Sequence, residues 1–272
     1  MSLRSLARFI VVPALILGSC GPSGDTAKPG PGESKEAAYE RGHRFYQTMD
    51  LDAAEQELQR AVKLDSTYVE PLVDLGSLSY ELGRRFEGEK NPGRIEKFRR
   101  ARMFLARAEA LGYRDESAYE RLCELSLALD DAHGFLTYAK KTAALFPYDR
   151  QLYNLGLANF GVEDWQGVIK SQKEAAEKFR QSPYLGGFYR QMGRAYMKLD
   201  RDQTAERTLV SGVQAVDARI AAKAGLSGEE RKRLLDDKVA MLLLLKRLHT
   251  IYGAADKLAN VERQLKEAGY QK

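Results

Sequence analysis

Small residues recur in this chain at intervals close to 34 residues, and this repeat constrains the fold more than any other feature. The positions are Gly42, Gly76, Cys123, Gly156 and Gly193. The intervals between them are 34, 47, 33 and 37 residues. A period of this length is typical of proteins built from one supersecondary unit repeated along the chain. Apolar residues between these positions follow helical spacing and strand signals are nearly absent, so each unit is expected to be helical.

The residues that follow the small positions repeat as well. Two of the glycines are followed by small or apolar residues at offsets of 12, 16 and 19, namely Ala54, Leu58 and Ala61 after Gly42, and Ala205, Leu209 and Gly212 after Gly193. This pattern resembles the tetratricopeptide repeat (TPR). The resemblance implies an all-α chain, an α-solenoid of about five tetratricopeptide-type helix hairpins plus a degenerate C-terminal hairpin. Small residues are expected where the two helices of a hairpin approach most closely.

The domain organisation follows from this repeat. The repeats are expected over residues 36–219, and the long 47-residue interval places a basic insertion at about 84–100, inside the second hairpin. Ser227 and Glu230 form a capping-box pattern that predicts a further helix start. Residues 220–272 are therefore expected to form a capping helix pair that turns at Gly253, with a helix lying on a membrane surface as the alternative.

The N-terminal residues have the order of an export signal. Arg4 and Arg8 precede an apolar run, residues 9–17, that is too short to span a membrane. Residues 17–20, Leu-Gly-Ser-Cys, resemble the lipobox of bacterial lipoproteins. The resemblance implies a signal peptide over residues 1–19 and a lipid on the sulfur of Cys20. Ordinary secretory cleavage near the same point is the alternative.

The residues after the cysteine bear on location. Gly21 occupies the position where aspartate resembles an inner-membrane retention signal, so the resemblance implies the outer membrane, facing the periplasm, if the organism has two membranes. Residues 20–35 are rich in glycine and proline and contain no large apolar residue, so this segment is expected to be a flexible tether.

Composition argues against catalysis. Two cysteines, three dispersed histidines and the absence of GxSxG, HExxH and CxxC motifs leave little material for a metal or nucleophilic site. The segment 83–90 resembles a phosphate loop only loosely, since Glu89 precedes its lysine and no strand precedes the loop. We therefore expect a non-enzyme without cofactor or metal, with Cys123 as a small buried residue. The net charge of +5, or +3 after signal removal, gives no reason to expect a nucleic-acid partner.

The resemblance also implies where a ligand would bind. In tetratricopeptide folds the first helix of each hairpin lines a concave groove. The positions expected to face that groove are Tyr39, His43, Tyr46, Tyr80, Tyr153, Phe160, Arg190 and Arg194. Such a groove is aromatic with a basic end that could grip a carboxylate. The alternative is that the aromatic residues pack against the adjacent repeat.

The insertion carries the second candidate surface. Residues 84–107 contain nine basic and three acidic residues. The basic patch expected there consists of Arg94, Lys97, Arg99, Arg100 and Arg102. Anionic headgroups or an acidic envelope partner would fit this patch, and a solvated helix face is the alternative.

These features together favour a lipid-anchored scaffold or adaptor that binds an envelope protein or peptide. The resemblance is to tetratricopeptide lipoproteins that serve outer-membrane, pilus or secretin assembly. The lysine and asparagine pair of the chaperone-binding carboxylate clamp is absent from all five repeats. An enzyme or accessory of envelope and peptidoglycan metabolism is the alternative class.

Overall fold

The computed structural model describes residues 33–222 and 225–270. The signal peptide expected over residues 1–19, the lipidation site at Cys20 and the tether up to residue 32 lie outside the described residues. Twelve α-helices and no strand form in the described part, which confirms the predicted all-α class. The chain divides into two compact units, Met1–Phe135 and Leu136–Lys272, hereafter unit 1 and unit 2, and the division lies within the sixth helix.

The helices follow one another in chain order. Unit 1 contains α1 (Lys35–Gln47), α2 (Leu51–Leu64), α3 (Val69–Arg84), α4 (Pro92–Ala110), α5 (Glu116–Ala128) and the start of α6 (Ala132–Leu145). Unit 2 contains α7 (Asp149–Gly161), α8 (Trp165–Lys178), α9 (Leu185–Lys198), α10 (Asp202–Ala221), α11 (Gly228–Ile251) and α12 (Ala255–Glu267). We call the odd-numbered helices A-helices and the even-numbered ones B-helices. In unit 1, α1 packs on α2 and α3 on α4; in unit 2, α7 packs on α8, α9 on α10 and α11 on α12.

Capping side chains explain where many of these helices begin. A Ser, Asp or Asn side chain accepts a hydrogen bond from a first-turn backbone N–H at Ser34, Asp50, Asn91, Asp115, Asp164 and Ser227. At α11 the Glu230 carboxylate also accepts from the Ser227 N–H, so the capping box predicted from the sequence is confirmed. Each such cap stabilises its helix by about 1 kcal/mol.

Five of the six A-to-B turns in the described residues share one backbone feature, and the longer connection between α3 and α4 is the exception. The second residue after the A-helix has a positive φ at Met49, Asp130, Glu163 and Asp200. Gly253 occupies the same position between α11 and α12, with φ 62°. The C-terminal pair therefore repeats the turn geometry of the earlier hairpins.

The small repeat positions lie where an A-helix approaches its B-helix. A Cβ atom placed on Gly42 would lie 2.8 Å from Leu58 Cγ and 2.9 Å from the Leu58 backbone nitrogen. At Gly193 the nearest atom would be Leu209 Cδ2, at 2.4 Å. Both distances are far below ordinary carbon contacts. The expected role of these glycines is confirmed, and Cys123 is buried at its position on α5 with 6% exposure.

The cores form along these same contacts. Unit 1 buries Leu58, Leu72, Leu75 and Phe104 in one cluster. Unit 2 has a larger cluster that extends into the C-terminal pair, where α11 buries Leu234, Met241 and Leu245 and α12 buries Val261 and Leu265. Helix α11 packs against α9, α10 and α12. None of the described helices is both long and apolar enough to cross a membrane.

The insertion lengthens the second hairpin. Helix α3 has 16 residues and α4 has 19, compared with 13 and 14 in α1 and α2. Much of the expected insertion at 84–100 is therefore helical, and the connection between α3 and α4 is confined to residues 85–91. Phe98 on α4 is buried, stacks on Tyr80 at a centroid distance of 5.8 Å and covers Gly83. The extra helical turns thus extend the hydrophobic contact of this hairpin.

Replacing Gly42 by valine tests the close approach of α1 and α2. The new side chain must displace the Leu58 backbone, and overpacking of this kind costs about 1–3 kcal/mol. We expect the free energy of unfolding in urea to fall by about this amount. Gly228→Val is the matched control, because a Cβ at Gly228 meets nothing within 4 Å. Equal stability of the two variants would contradict the packing described for Gly42.

Candidate functional site

The first candidate surface is the A-face of unit 1, formed by α1, α3 and α5. Tyr39, His43 and Tyr46 lie on one side of α1, at spacings of four and three residues. His43 Nδ1 and Asp74 Oδ2 on α3 are hydrogen-bonded at 2.7 Å. The Tyr46 hydroxyl donates to Glu81 Oε1, also on α3, at 2.9 Å. These groove-register side chains therefore connect α1 to the next A-helix.

A second set of contacts connects α3 to α5. The Tyr80 hydroxyl donates to Glu124 Oε2 at 2.5 Å. Arg121 Nη1 donates to Ser77 Oγ at 2.5 Å, and its guanidinium lies 5.8 Å from the centre of the Tyr80 ring. We call the hydrogen bonds between successive A-helices rungs. In unit 1 the rungs engage the histidine and two of the three tyrosines expected in a ligand groove.

Burial determines the protonation of these groups. The pKa of Asp74 is raised because burial disfavours its charged form, although the hydrogen bond from His43 opposes this effect. Burial and the hydrogen bond to Glu124 raise the pKa of Tyr80 to about 12. The Tyr46 pKa is raised for the same two reasons, with Glu81 as the acceptor. Both phenols remain protonated donors at neutral pH, so the rungs persist there.

Tyr39 has a different environment from the other aromatic residues of α1. Its ring contacts Tyr68 edge-on and His43 at a tilt, each at a centroid distance of 5.5 Å. It also packs on the cluster that contains Leu58 and Leu72. Tyr39 is therefore a half-buried packing residue.

The second candidate surface is the A-face of unit 2, formed by α7, α9 and α11. Tyr153 on α7 packs against Tyr184 and Phe188, with centroid distances of 5.0 and 6.4 Å. Arg190 Nη2 on α9 donates to the Tyr153 hydroxyl at 3.3 Å. Arg190 Nη1 also lies 3.1 Å from Asp237 Oδ1 on α11. This rung joins all three A-helices of unit 2.

Asp237 is the buried acid of this face. Its side chain is 8% exposed. Burial raises its pKa, while Arg190 and Arg233 oppose the shift. A buried carboxylate needs close cationic or hydrogen-bonding partners, and Arg190 is its ion-pair partner here.

Arg194 lies one helical turn beyond Arg190 and has a different environment. Its guanidinium carbon lies 4.2 Å from the centre of the Phe160 ring on α7. Phe160 contacts Trp165 edge-on at 4.9 Å, and Lys198 lies 5.8 Å from the centre of the Trp165 ring. Over residues 33–222 and 225–270, no carboxylate lies within ion-pair distance of Arg194. Burial and the charge of Arg190 lower the pKa of Arg194.

Most of the basic patch expected at the insertion is paired with acids of neighbouring segments. Lys97 lies 3.5 Å from Glu55 on α2, and Arg100 contacts the same carboxylate. Arg102 pairs with Asp131 at 2.7 Å. Arg94 stacks over Phe98 at 5.0 Å, and Arg99 is exposed. Four of the five side chains therefore make contacts within unit 1, and Arg99 is exposed to solvent.

Several residues important to these faces were not singled out from the sequence. They are Asp74, Glu81, Glu124, Trp165 and Asp237. Asp237 had a signal, because Leu234 and Met241 at spacings of three and four place it on the buried side of α11. The other acids look like ordinary polar residues of amphipathic helices until their partners on the adjacent A-helix are known.

Several solved structures are similar to this chain. The crystal structure of MamA aligns with a TM-score of 0.50 and 19% identity, over 72% of this chain and 98% of that chain. The fold is that of tetratricopeptide-repeat proteins. YrrB, a TPR protein with an unusual peptide-binding site, gives a TM-score of 0.49 and 12% identity, over 65% of this chain and 84% of YrrB. PilF of Pseudomonas aeruginosa gives 0.44 and 17%, over 86% of this chain and 90% of PilF. No family model and no curated protein matches the chain.

A double-mutant cycle on Tyr46→Phe and Glu81→Ala tests whether the rungs hold the A-helices together. A half-buried hydrogen bond of this kind contributes about 1 kcal/mol, so we expect a coupling energy of about that size in urea unfolding. Tyr148→Phe is the matched control, since Tyr148 is 55% exposed and its loss of a hydroxyl should change stability little. Strictly additive effects of the two rung substitutions would show that the hydrogen bond does not contribute.

Proposed function

We propose that this protein is a lipid-anchored tetratricopeptide scaffold of the bacterial cell envelope that binds a protein or peptide segment on the A-face of unit 2. The observation that carries the proposal is the environment of Arg194. A half-buried guanidinium on an aromatic ring, without a carboxylate partner in the described part of the chain, is a recognition feature more than a stabilising one. Arginine and aromatic side chains are also the residue types that concentrate binding energy at interfaces.

The two A-faces differ in how much of their polar surface is already used. On unit 1 the rungs of His43, Tyr46 and Tyr80 each end on a carboxylate of the next A-helix. On unit 2 the rung ends at Asp237, and Arg194, Phe160 and Trp165 lie beyond it. A ligand can contact this second group without breaking a rung. We therefore assign the binding surface to unit 2 and a mainly structural role to the predicted groove residues of unit 1.

The anchor and the location are supported by the sequence. Arg4 and Arg8, the apolar run 9–17 and the lipobox-like residues up to Cys20 are in the order expected of a lipoprotein. A diacylated or triacylated cysteine would hold the chain on a membrane durably, because each buried methylene contributes about 0.8 kcal/mol. We propose that the scaffold acts in an assembly process of the envelope, such as outer-membrane, pilus or secretin assembly.

The enzyme alternative gains no support from the described residues. The carboxylates with raised pKa, Asp74 and Asp237, belong to different units, and each pairs with a basic side chain in a rung. Over the same residues, no group of three or more His, Cys, Asp or Glu side chains is placed to hold a metal ion. The binding function is therefore better supported than the enzyme alternative.

Metabolic labelling with a fatty-acid analogue tests the anchor. We expect label on the wild-type chain and none on Cys20→Ala, because the thioether can form only on that sulfur. Cys123→Ala is the matched control and should label like wild type, since Cys123 is buried on α5. Equal labelling of the Cys20→Ala and wild-type chains would exclude lipidation at this position.

Photo-crosslinking in intact cells tests the binding surface. Benzoylphenylalanine at Phe160 preserves an aromatic ring beside Arg194 and should capture a discrete protein partner. The control position is Val210 on α10, which is also partly exposed but lies on a B-helix of the same unit. Capture from Val210 and not from Phe160 would place the partner on the wrong face for this proposal.

A further inference from the structure

Resting on the proposed function, we infer that the A-face of unit 2 is a receptor for a single carboxylate of an acidic peptide segment. Arg194 binds the carboxylate, and Phe160 and Trp165 form the apolar wall beside it. The occupant is an Asp or Glu side chain, or a chain end, of a protein partner.

The geometry of Arg194 leaves its hydrogen-bonding edge available. The guanidinium stacks on the Phe160 ring at 4.2 Å. A planar guanidinium in this position uses its face for the ring, and its N–H groups lie at the rim of the plane. No carboxylate in the described part of the chain reaches those N–H groups. Two parallel hydrogen bonds to a carboxylate are the arrangement that such a rim fits best.

The arginine one turn earlier on α9 already binds a carboxylate. Arg190 lies 3.1 Å from the Asp237 carboxylate and donates to the Tyr153 hydroxyl at 3.3 Å. Its Nε is buried and has no hydrogen-bond partner. This face therefore pairs one carboxylate with one arginine. Arg194 is a second arginine of the same helix that lacks such an acid in the described part of the chain.

Charge favours an anionic occupant. The carboxylate of Asp237 is already matched by Arg190, and Arg233 acts on it as well. Arg194 has no carboxylate partner in the described part of the chain, and Lys198 lies over the neighbouring Trp165 ring. Burial and the charge of Arg190 lower the pKa of Arg194. A carboxylate bound to Arg194 would offset this local positive charge.

The aromatic wall defines the rest of the occupant. Trp165 contacts Phe160 at 4.9 Å and is half-buried, and Lys198 lies over its ring. An apolar side chain adjacent to the acidic residue could pack on Trp165 while the carboxylate binds Arg194. Trp165 is also the only tryptophan in the sequence, so its fluorescence reports on this site alone.

The test is a fluorescence titration of the mature chain with three capped pentapeptides, Ala-Ala-Xaa-Ala-Ala, in which Xaa is glutamate, glutamine or phosphoserine. We expect the glutamate peptide to change the Trp165 emission saturably and to bind about tenfold or more tightly than the glutamine peptide, because a charge-assisted hydrogen bond is lost with glutamine. Tighter binding of the phosphoserine peptide than of the glutamate peptide would identify a phosphate as the occupant and overturn the inference. Equal responses to the three peptides, or none with glutamate up to about 10 mM, would overturn the inference.

Two variants locate the effect. Arg194→Gln should weaken the glutamate peptide by about tenfold or more. Arg207→Gln removes the same charge from an exposed position on α10 and should leave the affinity unchanged. Unchanged affinity of Arg194→Gln for the glutamate peptide would refute the assignment of the carboxylate to Arg194, provided that circular dichroism shows the fold intact.

The crosslinking experiment separates this inference from the proposed function. Partner capture from Phe160 that persists in the Arg194→Gln background would leave the scaffold function standing and overturn the carboxylate site. Failure to capture any partner from benzoylphenylalanine at position 160, with Arg194 intact, would instead contradict the proposed function itself.

Discussion

The close approach of each A-helix to its B-helix is the contact on which the rest of this structure depends. At Gly42 and Gly193 a leucine of the B-helix fills the space that a Cβ would occupy. Because the helices are this close, their inner faces exclude water along the whole hairpin, and the remaining apolar residues can interdigitate at the density of a protein interior. The sequence repeats with this period because each hairpin needs a small residue at its closest helix contact.

Hairpins built in this way place successive A-helices beside one another within each unit, and the polar rungs follow from that placement. Side chains on α1 reach acids on α3, and Arg190 on α9 reaches both α7 and α11. The rungs add modest stability individually, but they satisfy groups that would otherwise be buried without partners. They also fix the rotamers of the aromatic side chains on the A-faces, so these faces are preorganised before any ligand arrives.

The hairpins were predictable from the sequence because their signals are local. The spacing from Gly42 to Leu58, the capping box at Ser227 and the turn glycine Gly253 all lie within one or two helices. The A-faces were less predictable, because each rung joins residues about 30 to 50 positions apart, as in the pair Tyr80 and Glu124. Local charge counting likewise found the basic residues of the insertion but not their partner Glu55, which neutralises two of them from another hairpin.

The difference between the two A-faces then becomes an argument about function. A face on which every donor meets an acceptor is complete without a ligand, and unit 1 approaches this condition through Asp74, Glu81 and Glu124. A face that keeps a half-buried guanidinium on an aromatic ring, without an acid in the described part of the chain, retains hydrogen-bond donors that folding does not pair with a carboxylate. Arg194 is such a group. A partner that supplies a carboxylate would pair these donors on binding, so Arg194 would contribute to the specificity of the complex.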